Sequence, residues 1–247
     1  MTLLGLTAGS TSAEGPSRVG VPVLVELFTS EGCSSCPPAD LALARLERTQ
    51  PVAGAQIVPL SLHVDYWNRL GWADPFSSES FSARQSDYSR AWGKNRVYTP
   101  QVVVDGYVEL LGSDETKARR AVEEAARRPK TAIELSRTAS GSGPALRIRV
   151  RVMPPVAPGD TAELLLALTE DGLASDVSRG ENAGRQLVHI AVVRDLAVVG
   201  ALRPGASFET ERPLHLNADW KRNALHAVAF IQERKSRKVL GVARISI

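Results

Sequence analysis

Glu26-Leu27-Phe28-Thr29-Ser30-Glu31-Gly32-Cys33-Ser34-Ser35-Cys36-Pro37-Pro38-Ala39-Asp40 holds both cysteines of a 247-residue chain, separated by two serines. The apolar run Val23 to Phe28 before them reads as a strand. After them, Ala39, Ala42, Leu43 and Leu46 recur at spacings of three and four, the period of one helix face. Pro37 and Pro38 lack N–H groups, a loss that the first turn of a helix tolerates. The stretch therefore predicts a strand, a short loop, and a helix that begins at Cys36. A helix N-terminus offers free N–H groups and partial positive charge, and both would favour a thiolate on Cys33.

Strand, CxxC and helix in that order is the arrangement of a thioredoxin-like redox site. An inert disulfide and a metal-binding pair share the spacing, so the motif leaves three readings open. No second CxxC completes a four-cysteine zinc site. A second segment favours the redox reading. Val97-Tyr98-Thr99-Pro100-Gln101-Val102-Val103-Val104-Asp105-Gly106 reads as proline, strand and tight turn. In thioredoxin-like folds a cis-proline stands before a strand and faces the cysteines. Thr99-Pro100 occupies that place, and X-Pro bonds adopt cis at modest cost. A trans-proline that opens a strand is the plainer alternative.

Working outward, Val21 to Phe28 is the first expected strand and Pro37 to about Gln50 the first helix, stopped before Pro51. Gln56 to Val64 is a nearly continuous apolar run, suited to a strand covered on both faces. It leads into the aromatic loop Asp65 to Phe76, which contains Tyr66, Trp67 and Trp72. Such a loop at the carboxyl end of a sheet strand is placed to bind ligands. A helix follows over about residues 79 to 92, with Phe81, Tyr88 and Trp92 on one face as core. A hairpin is expected around Asp105-Gly106, and then a helix capped by Ser113. The order matches the thioredoxin fold over residues 21–130. From 131 to 247 the character changes to alternating short strands, such as Leu146, Ile148, Val150 and Val152 between arginines, in loops rich in Pro, Gly, Asp and Asn. That pattern predicts an antiparallel β-sandwich without a catalytic centre.

Composition excludes several classes. The charge of +3 and pI near 9.0 come without a dense basic tract, so nucleic acid is not an expected partner. Lys235-Ser236-Arg237-Lys238 is the tightest basic cluster and falls where a hairpin turn is expected. No stretch is long and apolar enough to span a bilayer. No phosphate-binding Gly-rich loop occurs, and no cofactor is expected. Residues 1–20 read as a poorly ordered leader. Leu3-Leu4-Gly5-Leu6 and Thr11-Ser12-Ala13 resemble the end of a signal peptide that lacks its positive segment, and a leader of no consequence fits equally.

Four segments in order, LFTSEGCSSCPPAD, LSLHVDYWNRLGWADPF, VYTPQVVVDG and GENAGRQLVHIAVVR, resemble a bacterial family of thioredoxin-like proteins catalogued as a domain of unknown function. The resemblance implies a thioredoxin-like N-terminal domain, a β-rich C-terminal region and export to the periplasm or beyond. It supplies no reaction.

The expected activity is thiol–disulfide exchange with protein thiols or disulfides. Cys33, one loop before the helix where it can meet solvent, is the expected attacking thiolate, Cys36, shielded by the helix, the resolving thiol, and Pro100 the residue that holds a partner chain. Thr99, Tyr66, Trp67 and Trp72 are the expected groove. The alternatives are copper or zinc binding by Cys33, Cys36 and His63, and a non-catalytic binding module. His189, His215 and His226 sit in apolar strands and read as structural.

Overall fold

Val21 to Thr29 forms a strand whose residues from Val23 onward are all buried, the charged Glu26 among its apolar neighbours included. In the computed structural model, which describes residues 20–140 and 143–247, this strand β1 is followed by α1 (Pro37–Thr49), β2 (Ala55–His63), α2 (Glu79–Ala91), β3 (Gln101–Val104), β4 (Val108–Leu111) and α3 (Glu115–Ala126). Then come β5 (Ile133–Ser140), β6 (Gly143–Val150), β7 (Ala162–Glu170), β8 (Leu173–Asp176), β9 (Gln186–His189), β10 (Val192–Leu202), β11 (Phe208–Pro213), β12 (Leu225–Glu233) and β13 (Val239–Ser246). The leader, apart from Gly20, lies outside the described residues. Asp114 rather than Ser113 caps α3, accepting from the Lys117 N–H at 3.0 Å. The basic cluster Lys235–Lys238 turns the β12–β13 hairpin as expected.

The expected boundary at residue 131 is not a break in the sheet. Among the described residues the main sheet has eight strands, in the order β13-β12-β7-β10-β2-β1-β3-β4. β1 and β2 pair in parallel, and β3 and β4 add antiparallel. The late strands then continue the same sheet from the β2 edge. The seam is one residue pair, Val192 on Ser61, with the Ser61 N–H donating to the Ala191 carbonyl at 2.8 Å. Pro59 shows why the seam is short. It lies two residues before Ser61, so it faces the same edge, and it has no N–H to give. One hydrogen bond contributes about 0.5–1.5 kcal/mol. Packing across the seam contributes more. Leu60 and Leu62 of β2, Val193 of β10, and Leu165 and Ala167 of β7 belong to one core under α2, and each large apolar side chain so buried is worth about 1.5–3 kcal/mol.

The two faces of the sheet are covered differently. One face carries that shared core, which runs from Leu24 and Phe28 through to Val228 and Phe230 and is roofed by Phe81 and Tyr88 of α2. The other face is covered by α1 and α3 over β1 to β4. At the far end the three-stranded sheet β11-β6-β5 takes over, packing Leu146, Ile148 and Val150 on Leu164, Leu166, Ala227 and Ala229. A sandwich is therefore present after residue 131, but one of its layers is the main sheet itself.

Residues 186–194 are divided between two strands. Ala191 sits at φ 49°, a left-handed conformation rare for a residue with a Cβ. The bend lets β9 pair with β8 while β10 enters the main sheet, and it sets His189 at the carboxyl end of the β1–β2 pair.

Candidate functional site

Cys36 is the residue before α1, and Cys33 ends the loop leaving β1. The two are joined as a disulfide. The backbone closes a turn there, with the Cys36 N–H donating to the Cys33 carbonyl at 3.1 Å. Both cysteines are fully buried, and only Ser34 and Ser35 between them are exposed. This corrects the expectation of a solvent-facing Cys33. The expected thiolate donors are also different. Pro37 and Pro38 have no N–H, and the N–H groups of Ala39 and Asp40 are both taken by the Cys36 carbonyl, at 2.8 and 3.1 Å. The nearest hydroxyl to Cys33 is that of Ser35, 3.3 Å from its Sγ.

Thr99-Pro100 is cis, and Pro100 is buried. A Cβ built on Gly112 would stand 3.0 Å from Pro100 Cβ and 3.0 Å from Ala39 Cβ, which places Pro100 beside the first turn of α1. Trp67 connects the same elements. Its Nε1 donates to Thr99 Oγ1 at 2.8 Å, and a Cβ on Gly32 would crowd its Cβ at 3.1 Å. Tyr66 turns away to Gln85, donating to its Oε1 at 3.2 Å, and burial pushes its phenol up to about 12. Of the four expected groove residues, Thr99 and Trp67 thus meet beside the cysteine loop. Trp72 serves another purpose.

Beyond the disulfide lies a buried cluster of ionisable side chains. Trp72 Nε1 donates to Glu31 Oε2 at 2.8 Å, and the other oxygen of Glu31 meets His189 Nε2 at 3.1 Å. His189 Nδ1 faces Asp40 Oδ1 at 3.8 Å, and Thr29 Oγ1 donates to the second Asp40 oxygen at 3.2 Å. Burial works against the His189 imidazolium, but Asp40 and Glu31 outweigh it and raise the pKa to about 9. Beside it, His63 Nδ1 bonds Asp74 Oδ2 at 2.7 Å, and the His63 and His189 rings meet edge to face with centroids 4.7 Å apart. Burial would raise the Asp74 pKa. His63, with the N–H groups of Glu31 and Phe76, holds it below the usual carboxylate range instead. Two nitrogens in this cluster, His63 Nε2 and His189 Nδ1, are buried without a hydrogen-bond partner among the described residues.

His189, read from the sequence as structural in an apolar strand, is buried and meets Glu31 and Asp40, which nothing local in the sequence shows. The C-terminal region also supplies Asn182, whose Nδ2 donates to the carbonyls of Glu31 and Cys33 at 2.8 and 3.0 Å. Glu181 accepts from the Ser34 N–H at 2.9 Å. Arg185 donates to Asn182 Oδ1 at 3.2 Å. Among the described residues no group of three or more His, Cys, Asp or Glu side chains has the arrangement of a metal site. Cys33 and Cys36 are bonded to each other, and His63 leans on Asp74. Nor, among the described residues, is any helix long and apolar enough to cross a membrane.

A family model described as a protein of unknown function, DUF1223, matches residues 24–232. The X-ray structure of an Agrobacterium tumefaciens protein is similar, with a TM-score of 0.74 and 28% identity over 93% of this chain and 96% of that one. A domain of the outer membrane lipoprotein Omp28 from Porphyromonas gingivalis covers 49% of this chain and 97% of that one at 16% identity, with a TM-score of 0.29, too low to carry any argument. No curated protein matches the chain.

Proposed function

The chain belongs to the DUF1223 family of proteins of unknown function, and from the geometry of its cysteine pair we propose that it carries out thiol–disulfide exchange outside the cytoplasm. The observation that carries this reading is the Cys33–Cys36 disulfide at the start of α1, set against a buried imidazolium–carboxylate cluster. Perturbed, buried ionisable groups cluster where chemistry is done. The order β1-α1-β2-α2-β3-β4-α3 supports a thioredoxin-like reading of the N-terminal half. A disulfide between the two cysteines suits an oxidising compartment.

In the reducing direction for the protein, a substrate thiolate attacks Cys33 Sγ. The S–S bond breaks, and Cys36 leaves with the electron pair as a thiolate. A second substrate thiol then displaces Cys33 from the mixed disulfide. Two substrate thiols become one disulfide, and their two protons end on Cys33 and Cys36. The Ser35 hydroxyl is the donor for the Cys33 thiolate, and Pro100 with Thr99 and Trp67 forms the wall beside it.

The test is turnover of a dithiol or disulfide peptide by the full chain, with a trap. Cys36→Ser should accumulate a mixed disulfide on Cys33, and Cys33→Ser should accumulate little. Absence of turnover in both directions would overturn the reading. Stoichiometric copper(I) or zinc binding by the reduced protein, lost in Cys33→Ser, Cys36→Ser and His63→Ala alike, would replace it with metal delivery.

A further inference from the structure

The loop that is hydrogen-bonded to the cysteine turn comes from the far end of the chain. Residues 177–185 leave β8 and return to β9, and the base of the loop is closed by Val177 N–H to the Arg185 carbonyl at 2.9 Å and Gly184 N–H to the Val177 carbonyl at 2.8 Å. Gly180, at φ 77°, packs against Trp72, which a Cβ there would approach to 3.3 Å. Within residues 178–185 only Asn182 is buried. Its amide spans two carbonyls, one on each side of Gly32, while Glu181 holds the Ser34 N–H. The Ser34 contact keeps the exposed Glu181 carboxyl below its usual range. The loop is thus anchored to the cysteine turn by three polar contacts and one wholly buried side chain, with little apolar surface of its own. A segment with so few apolar anchors opens locally at low cost.

We infer that Asn182, with Glu181, is a positioning residue that controls access to the Cys33–Cys36 disulfide: the 180–185 loop must lift before a thiol can reach Cys33. This rests on the reading that the pair exchanges with thiols. Neither sulfur is exposed with the loop in place. In-line attack on Cys33 needs a free approach to its Sγ, and lifting the loop breaks the Asn182 and Glu181 hydrogen bonds before any bond to sulfur forms. The rate of opening the disulfide is then the rate from the lifted state times its population. Removing the hydrogen bonds raises that population.

Single-turnover reduction of the oxidised full chain by dithiothreitol reads this directly, since the small dithiol needs only a path to the sulfurs. Two variants remove the Asn182 donors. Asn182→Ala deletes the side chain, and Asn182→Asp keeps its size and shape. Both should be reduced about tenfold faster or more than the parent. Glu181→Ala, at an exposed position that folding does not depend on, should be about threefold faster. Glu26→Ala serves as the control. It lies in a separate buried network and should lower global stability while leaving the reduction rate within about twofold of the parent.

A wild-type rate in Asn182→Asp and Glu181→Ala would overturn the inference. So would an acceleration in Glu26→Ala as large as in the Asn182 variants, because general loosening would then explain both. If the Asn182 variants do not fold, Glu181→Ala decides alone, on the same criterion. The exchange reading fails separately. An accelerated dithiothreitol reaction without peptide turnover sinks that reading, and turnover with reduction rates indifferent to the loop sinks only the inference.

Discussion

Two buried polar clusters hang from the same segment of chain, one at Glu26 within β1 and one at Glu31 just past its end. The first is complete. Arg84 spends its three nitrogens on Glu26 at 2.6 Å, Gln232 at 3.0 Å and Tyr88 at 3.2 Å. Tyr88 also donates to the second Glu26 oxygen, and Gln232 Nε2 donates to the Tyr88 hydroxyl at 2.8 Å. This network ties α2 to β1 on one side of the seam and to β12 on the other. The second cluster holds two histidines and three carboxylates, yet among the described residues His63 Nε2 has no hydrogen-bond partner and His189 Nδ1 has only the Asp40 carboxylate at 3.8 Å, beyond hydrogen-bond reach. Buried polar groups are nearly always satisfied, because leaving one unpaired costs about 1–3 kcal/mol. A cluster that closes every bond is explained by the fold. One that does not, and lies beside a disulfide, points to chemistry.

The sharpest way to break that comparison is to break the complete cluster. Glu26→Ala should lower the unfolding free energy by about 3–5 kcal/mol, because it leaves the Arg84 guanidinium buried and unpaired. Urea unfolding measures this. A loss below about 1 kcal/mol would mean that the network is no more structural than the second one.

The next largest effect concerns pH. His189 has a folded pKa of about 9 against about 6.5 when unfolded, so folding favours its protonated form. The stabilisation is fully present below pH 6.5 and is lost as pH rises through 9. Over that window the protein should lose on the order of 3 kcal/mol of stability from this group. Glu31 faces it from the loop after β1, Asp40 from α1, and the His63–Asp74 pair from β2 and the following loop. In His189→Gln the loss should disappear and the profile flatten between pH 6.5 and 9. An unchanged slope would show that His189 is neutral in the folded protein, and that the imidazolium–carboxylate cluster is not the feature it is taken to be.

How much of this was legible in the chain follows the range of the interactions. Local order was plain. Pro37 and Pro38 started α1, Gln50 and Pro51 ended it, and the Asp105-Gly106 turn placed the β3–β4 hairpin. The aromatic face of α2 was correctly read as core, with Phe81 and Tyr88 buried. The joining of the two halves was not legible. Strands that pair across more than a hundred residues leave no periodic mark, and the single hint, Pro59 at an edge that would receive only a brief partner, is readable only once the seam is known. The site divides in the same way. Cys33, Cys36 and Pro100 came from spacing and from a resemblance. Asn182 and His189 lie in the fourth of the resembling segments, but nothing local gave either a role, because what makes them matter is a carbonyl or a carboxylate some 150 residues away. Cys33 was expected to meet solvent because it lies one loop before the helix, but in the folded chain it is fully buried.

The smallest predicted effect tests whether burial, rather than charge as such, separates the clusters. On the exposed face of the three-stranded sheet, Arg149 makes two hydrogen bonds to Glu209 at 3.1 Å, with Glu134 and Arg147 alongside. Its geometry is as good as that of Arg84, and its count of partners is similar. What differs is water. Arg149 is roughly half exposed, at 46%, so solvent competes for every contact, and ordering two long side chains costs entropy that a surface pair barely recovers. Arg149→Ala should therefore shift Tm by no more than about 2 °C, and the shift should vanish in about 0.5 M salt, where exposed pairs are screened. Thermal melts at low and high salt decide it. A salt-resistant loss of many degrees would mean that the arginine–glutamate ladder holds β11 to β6 as firmly as Arg84 holds α2, and burial would no longer be what distinguishes the two networks on β1 from the charges outside.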